Sequence, residues 1–366
     1  MIKRNILYVT HSPKKGGAEQ SLIHLLNNIN NKNFNLYLVC PANTEYLKEI
    51  DSSVKLIHMN LGSIKQGSIF KYLKDVWKLK RIISKHNIHI VHANGWRAPW
   101  YVGPLKIITN VKTIWHHRDK FESKIYNNIL PKFFNNIICI SHFVKSTLST
   151  KGQKKTKVIY NGIDLKDNIE LLDIKKKYEN APITIGTFGR IVEWKRLESI
   201  ISAMDIFNKE NHDWQLYVVG DIAIDGNQEY LDALKSQVKD CGLSEKVIFY
   251  GHTSNPLELM SKCHVTINFA DREPFGRVVI ESLLAKTPVI VANSGGAPEI
   301  VSDTSGGIIV EDNNSFQLAN AVEEIVTMDY VNYEKLCETG YKNVYEKYNM
   351  KKLALNVESL YLALLK

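Results

Sequence analysis

Cysteine is scarce and scattered in this chain: Cys40, Cys139, Cys241, Cys263 and Cys337 are the only five. No two of them form a C-x-x-C pair, so neither a zinc site nor a disulfide framework is indicated, and reduced, mostly buried thiols are expected. Long apolar runs are missing too. Runs such as Ile137–Ile140 and Val289–Ala292 are a few residues each, whereas a membrane-spanning helix needs about 20. The segment Met1–Thr10 reads as a first strand; its apolar run is too short for a secretory leader and no small-residue cleavage site follows. The expectation is a chain kept in the cytoplasm. There is no G-x-G-x-x-G and no G-K-[ST] phosphate loop. The nearest approach to a D-x-D triad is Asp271-Arg272-Glu273, and no His/Asp/Glu cluster has metal-ligand spacing, so no metal and no cofactor is expected. RRM, KH and helix-turn-helix signatures are absent, which argues against a nucleic-acid partner.

What is present begins with an ordinary soluble composition, 44% hydrophobic and 23% charged, in 366 residues, enough for two domains with sizeable cores. The net charge of +9 conceals a split. Residues 1–165 hold 26 Lys and Arg against 8 Asp and Glu, a charge of +18; the remaining 21 and 30 give residues 166–366 a charge of −9. One half therefore suits an anionic partner: nucleic acid, a membrane surface or an acidic substrate.

Short Val/Ile-rich runs closed by Gly, Asn, Ser or Pro alternate with helical patterns along the whole chain. In the first half the runs are Asn5–Thr10, Phe34–Cys40, Val54–Met59, Ile88–His92, Lys112–His116, Ile137–Ile140 and Lys157–Tyr160. In the second they are Ile183–Phe188, Gln215–Val219, Val247–Tyr250, Val265–Asn268, Pro288–Ala292 and Gly307–Val310. Helical patterns such as Ala18–Asn30, Ile69–His86 and Leu197–Asn208 lie between them. The fold class is α/β, with parallel sheets covered by helices. Turn chemistry at Asn161-Gly162-Ile163-Asp164, a polar stretch and a fresh first strand after Pro182 place the boundary near residues 161–182. Two Rossmann-like domains, 1–165 and 166–346, are expected to face each other across a ligand cleft, since such sheets bind ligands at the carboxyl ends of their strands.

Four segments carry chemistry. Glu273-Pro274-Phe275-Gly276-Arg277-Val278-Val279-Ile280-Glu281 sets two carboxylates eight apart, the first in a loop, the second about a turn into a helix. A helix start presents free N–H groups to an anion, and a carboxylate just inside can accept bonds from vicinal hydroxyls; alternatively Glu281 only supports the turn. Phe188-Gly189-Arg190-Ile191-Val192-Glu193-Trp194-Lys195 carries two cations five apart after a strand, enough to clamp a diphosphate, or else simply a solvated basic loop. Pro13-Lys14-Lys15-Gly16-Gly17-Ala18-Glu19 is a double glycine before a helix, a phosphate-binding geometry or a mere turn. Ile114-Trp115-His116-His117-Arg118-Asp119 ends an inner strand, where α/β folds bind ligands, although a histidine is more often structural.

Together these segments, with Ala285–Ile290 and Ser294-Gly295-Gly296-Ala297-Pro298-Glu299-Ile300, resemble glycosyltransferase family four, retaining enzymes of the GT-B fold, over nearly the full length. The resemblance implies an E-x7-E motif in which Glu273 lies by the transferred sugar and Glu281 binds the nucleotide ribose. It implies that Arg190 and Lys195 neutralise the leaving diphosphate. Gly16 and Gly17 would cap the donor phosphate, Gly17 by close approach, and Phe275, Gly276, Arg277 and Val278 would complete the donor loop. His116, or else His117, would stand near the sugar. The base pocket would be largely backbone near Gly251-His252-Thr253. Val158–Asp164 resembles a family signpost with Tyr160 in place of proline, and it is read with Ile140–Phe143 as architectural. A helix over Met350–Leu365, with apolar Leu353, Leu355, Val357, Leu360, Tyr361 and Leu364, would lie in a segment 347–366 that returns to the first domain. One departure stands out: the family usually has glycine after the lysine, and here it is Arg196, which alters the loop backbone but leaves both cations in place.

The expected activity is retaining, metal-independent transfer of a sugar from a nucleotide-diphosphate sugar to a saccharide, lipid-linked or otherwise, in surface-polysaccharide or glycoconjugate synthesis. The stretch Lys65–His86 interleaves Lys65, Lys71, Lys74, Lys78, Lys80, Arg81 and Lys85 with Phe70 and Trp77. It reads as a surface helix, or as one that grips an anionic membrane from the inner face. Two other activities share parts of this pattern: a nucleotide-sugar 2-epimerase, which needs no acceptor, and a non-catalytic nucleotide- or nucleic-acid-binding protein using the basic half.

Overall fold

A computed structural model of the chain describes residues 3–63, 68–121, 123–163, 171–210, 212–222 and 227–366. The expected boundary at 165/166 and the lysine at 65 lie outside the described residues. The chain forms two compact units: Met1–Asp164 together with Tyr348–Lys366, and Leu165–Lys347.

The first unit is built on a seven-stranded parallel sheet. Its strands are β1 (Arg4–Val9), β2 (Phe34–Cys40), β3 (Lys55–His58), β4 (Ile90–Asn94), β5 (Lys112–His117), β6 (Asn136–Cys139) and β7 (Thr156–Val158), in the order β3-β2-β1-β4-β5-β6-β7. The second has six parallel strands: β8 (Ile183–Phe188), β9 (Trp214–Val219), β10 (Val247–Gly251), β11 (Val265–Asn268), β12 (Val289–Ala292) and β13 (Gly307–Val310), ordered β10-β9-β8-β11-β12-β13. These are the thirteen Val/Ile-rich runs read from the sequence. The inner strands are buried along nearly their whole length, as β1 and β11 illustrate. A sheet covered by helices on both faces hides both sets of side chains, and uninterrupted apolar runs result. In each unit the strand order reverses once, between β1 and β4 and between β8 and β11. Loops leaving the carboxyl ends of those strands diverge and open a crevice.

The helix Met350–Leu365 belongs to the first unit. Asn349 caps it, its side-chain oxygen accepting from Lys352 N at 2.9 Å. Met350, Leu353, Ala354, Val357, Leu360 and Tyr361 enter the core formed by β1, β2 and the helix Gly17–Asn28. At about 1.5–3 kcal/mol for each large apolar side chain buried, this stripe secures the helix. Glu358 adds a polar tie, accepting from Asn30 N at 2.7 Å. Leu355 instead faces solvent. Of the cysteines only Cys241 is partly exposed, and all five are free thiols.

Candidate active site

In the second unit the sequence-predicted residues gather at the β8/β11 reversal. β8 ends at Phe188, and after Gly189 the loop Arg190–Arg196 follows. β11 leads to the loop Phe269–Gly276 and then the helix Arg277–Leu284. A backbone bond from Asp271 N to Trp194 O, 2.7 Å, joins the two loops. Across that joint Lys195 Nζ meets Glu273 Oε2 at 2.5 Å, with both side chains mostly buried. Lys195 also lies over the Trp194 ring, 4.6 Å from its centroid. Arg190 is exposed and forms no ion pair among the described residues. An exposed guanidinium five positions before a lysine is the arrangement that a polyanion would complete.

Glu281 sits one turn inside the helix Arg277–Leu284 and receives Arg277 Nη2 at 3.1 Å. Desolvation raises its pKa, and the neighbouring cations Arg277 and Lys195 oppose that rise. The carboxyl group is thus short of solvent with cations beside it, a setting that hydroxyl donors would complete. Gly276 begins the helix in a left-handed conformation, φ +102°. Phe275 is buried. Val278 is half-buried on the first turn. His252 and Thr253 follow the edge strand β10, two strands from β8, and no described hydrogen bond joins them to the Lys195–Glu273–Glu281 group.

Several supports of this site could not be read beforehand. Gly295 forms a bridge with Glu273, and Gly296 N donates to Glu273 O at 2.7 Å. At Gly295 φ is +79°, and a Cβ there would fall 2.3 Å from the Glu273 carbonyl oxygen. Gly295→Ala is therefore expected to destabilise the protein by about 2–4 kcal/mol, combining a strained conformation with a backbone clash; a urea midpoint equal to wild type would contradict this. Arg196 explains the usual glycine after the lysine: its φ is +51°, the left-handed region. The arginine tolerates it through ion pairs with Asp271, 3.4 Å, and Asp312.

In the first unit the loops after β1 and β5 hold the remaining candidates. Gly16 and Gly17 are exposed at the start of the helix Gly17–Asn28, whose N-terminus has no side-chain cap. Glu19 lies in its first turn, buried, with its pKa raised by desolvation and lowered in part by Arg118. Neighbouring residues on β5 point to opposite faces, which separates the two histidines. His117 packs against Trp115, 4.3 Å between ring centroids, and Tyr126, 5.5 Å, with neither ring nitrogen bonded. His116 faces the other way, its Nδ1 3.3 Å from Arg118 Nη2 and its Nε2 without a partner. Arg118 in turn donates to Asn94 Oδ1 and Asn161 Oδ1, each at 2.7 Å. Asn161, read from sequence as architectural, thus anchors a cation beside His116. Burial holds His116 well below the usual histidine range and His117 at about 3. Among the described residues no group of His, Cys, Asp or Glu could hold a metal ion.

Comparison with known proteins places both halves. Residues 168–347 match the model for glycosyl transferases group 1, and residues 15–167 match that for glycosyltransferase family 4. A capsular polysaccharide biosynthesis glycosyltransferase of Staphylococcus aureus is 24% identical over 359 residues, 92% of this chain and 91% of that protein. Among solved structures, a glycosyltransferase from Rickettsia africae superposes with a TM-score of 0.82 at 23% identity, covering 100% of this chain and 99% of that one. HepE of Anabaena, solved with UDP and glucose, gives 0.77 at 22% identity, covering 97% and 98%. At these identities the structural likeness establishes a shared fold.

Proposed function

We propose that this chain, which belongs to the glycosyltransferases of group 1 with a family 4 first half, transfers a sugar from a nucleotide-diphosphate sugar to a saccharide acceptor with retained anomeric configuration. The observation that carries the reading is the convergence of Arg190, Lys195, Glu273 and Glu281 at the β8/β11 reversal, joined by the Lys195–Glu273 ion pair. Glu281 would accept from the ribose hydroxyls. Arg190 and Lys195 would stabilise charge on the departing diphosphate without a metal ion. A bound diphosphate would draw Lys195 from Glu273, freeing that carboxylate to meet the sugar as positive charge develops there. In the first unit, Gly17 is assigned to the donor phosphate and His116 to the transferred sugar. The Anabaena neighbour's UDP and glucose suggest a UDP-sugar as the first donor to try. Thermal-shift screening against UDP-, GDP- and ADP-sugars tests donor binding: one class should raise the melting temperature in wild type and not in Glu281→Ala. No shift with any of them would remove the donor assignment.

The acceptor side is proposed to work on a lipid-linked saccharide at an anionic membrane surface. The helix Ile69–Lys85 buries Val76, Leu79 and Ile83 but leaves Phe70 80% and Trp77 56% exposed, with Ile69 and Leu73 beside them. Lys71, Lys74, Lys78, Arg81 and Lys85 occupy an adjoining exposed strip. No described helix is long and apolar enough to cross a membrane, so attachment would be peripheral. Each basic residue near an anionic leaflet contributes about 1 kcal/mol, which salt screens. The protein should co-sediment with anionic vesicles at low salt, leave them as salt rises, and bind neutral ones poorly. Changing Lys71, Lys74 and Lys78 to Glu should weaken that binding and spare nucleotide affinity. Wild type that ignores anionic vesicles at low salt would end the membrane proposal.

A further inference from the structure

A fully buried polar chain runs from the returning C-terminal helix to His116. Tyr8 on β1 and Tyr361 on the helix Met350–Leu365 share a hydrogen bond of 2.5 Å. Tyr361 Oη lies 2.6 Å from His92 Nδ1 on β4. His92 Nε2 is 3.2 Å from His116 Nδ1 on β5, and Arg118 Nη2 reaches the same nitrogen at 3.3 Å. Tyr8, His92, His116 and Tyr361 are inaccessible to solvent.

Among these linked groups Arg118 alone has a fixed role: it only donates. Arg118 cannot turn away, being held by Asn94 and Asn161. His116 Nδ1 must therefore accept and carry no proton. His92 Nε2, facing that same lone pair, must also donate to it. His92 Nδ1 is then bare and accepts from the Tyr361 hydroxyl, which accepts from Tyr8. The reverse orientation would set an N–H of His116 against an N–H of Arg118. A neutral imidazole holds one N–H, so that of His116 lies on Nε2, the atom without a partner.

We infer that Arg118 sets the tautomer of His116 that presents Nε2–H, and that Tyr361, acting through His92, is a positioning residue that reinforces it. The inference rests on the assignment of His116 to the transferred sugar and sharpens it. His116 offers a donor to a sugar oxygen; it neither accepts from a hydroxyl nor serves as a base. Burial supports this by keeping both rings neutral, His92 at about 3 and His116 well below the histidine range. The lock also links the last helix of the chain to the site: a hydroxyl 269 positions beyond His92 donates to its bare Nδ1.

Nitrogen-15 NMR of labelled histidines in the full chain, assigned with single-site variants, tests the lock directly. Wild type should show His92 and His116 both protonated at Nε2 and bare at Nδ1. Tyr361→Phe, which keeps the buried ring, should strip the donor from His92 Nδ1, moving that nitrogen's resonance downfield, and lower turnover about five- to tenfold, the effect of about one hydrogen bond. Tyr8→Phe should cost less, because Tyr361 still donates to His92. A wild-type His116 protonated at Nδ1, or a folded Tyr361→Phe with an unaltered His92 Nδ1 resonance and turnover, would overturn the inference. Should Tyr361→Phe fail to fold, the wild-type spectrum alone decides. Full turnover in His116→Ala alongside the expected spectrum would instead remove His116 from the sugar and leave the tautomer lock standing.

Discussion

Lys195→Ala is expected to lower turnover by about 10²-fold or more, and Arg190→Ala by a similar factor, the scale of losing one group that stabilises developing charge. The two should differ in a second respect. Arg190 is exposed and unpaired among the described residues, so its loss should leave stability near wild type. Lys195 neutralises Glu273 at 2.5 Å in a mostly buried setting. Removing it strands a carboxylate short of water, at a cost of about 1–3 kcal/mol. Steady-state rates and urea midpoints for both variants measure the two effects together. Turnover within threefold of wild type in either folded variant would take that cation out of the mechanism. Addition of EDTA should leave wild-type activity in place.

Glu281→Ala should weaken binding of the free nucleoside diphosphate by about 10²-fold. Hydrogen bonds to a charged acceptor contribute roughly 1.5–3 kcal/mol each, and two ribose hydroxyls would reach this one. The variant also releases Arg277, which now spends its charge on Glu281 and would then sit beside the bound anion, offsetting part of the loss. Acid adds a sharper signature. The folded protein binds a proton at Glu281 more tightly than the unfolded chain does, because its pKa is raised. Between the ordinary glutamate value and the raised one, lowering the pH therefore adds to stability at this residue. Nucleotide affinity should fall over the same window, since only the carboxylate accepts from both hydroxyls. Calorimetry across that range, repeated on Glu281→Gln, separates this group from others: the variant should bind weakly at every pH with the dependence flattened. Unchanged affinity in folded Glu281→Ala would withdraw the ribose assignment.

Much of the fold was legible because the strands that matter are buried on both faces. Val265–Asn268 and Ile183–Phe188 could be read as strands directly, since an inner parallel strand must be apolar throughout. The two glutamates and two cations were legible because each pair lies within one strand–loop–helix segment. Their supports were not, since these depend on segments that meet only in the folded chain. Nothing local announces that Asp271 N binds Trp194 O, or that Gly295 must lack a side chain because a Cβ there would fall 2.3 Å from the Glu273 carbonyl oxygen. The left-handed backbone at Arg196 was signalled only by the missing glycine, and its two aspartate partners lie 75 and 116 positions on. The tie between Tyr361 and His92 had no signal at all: a tyrosine at helical spacing reads as core, and core is what it also is.

The central claim is donor-dependent transfer with retained configuration, and the product's anomeric centre reports on it most directly. Full-length protein would be incubated with the nucleotide-sugar chosen by thermal shift, a saccharide acceptor and EDTA. The new linkage would then be examined by proton NMR at early times. The proposed account predicts release of a nucleoside diphosphate matched by a glycosidic bond with the donor's own anomeric configuration, an α product from an α-linked donor. A product of inverted configuration, or nucleotide release with an isomerised sugar and no new glycosidic bond, would contradict it.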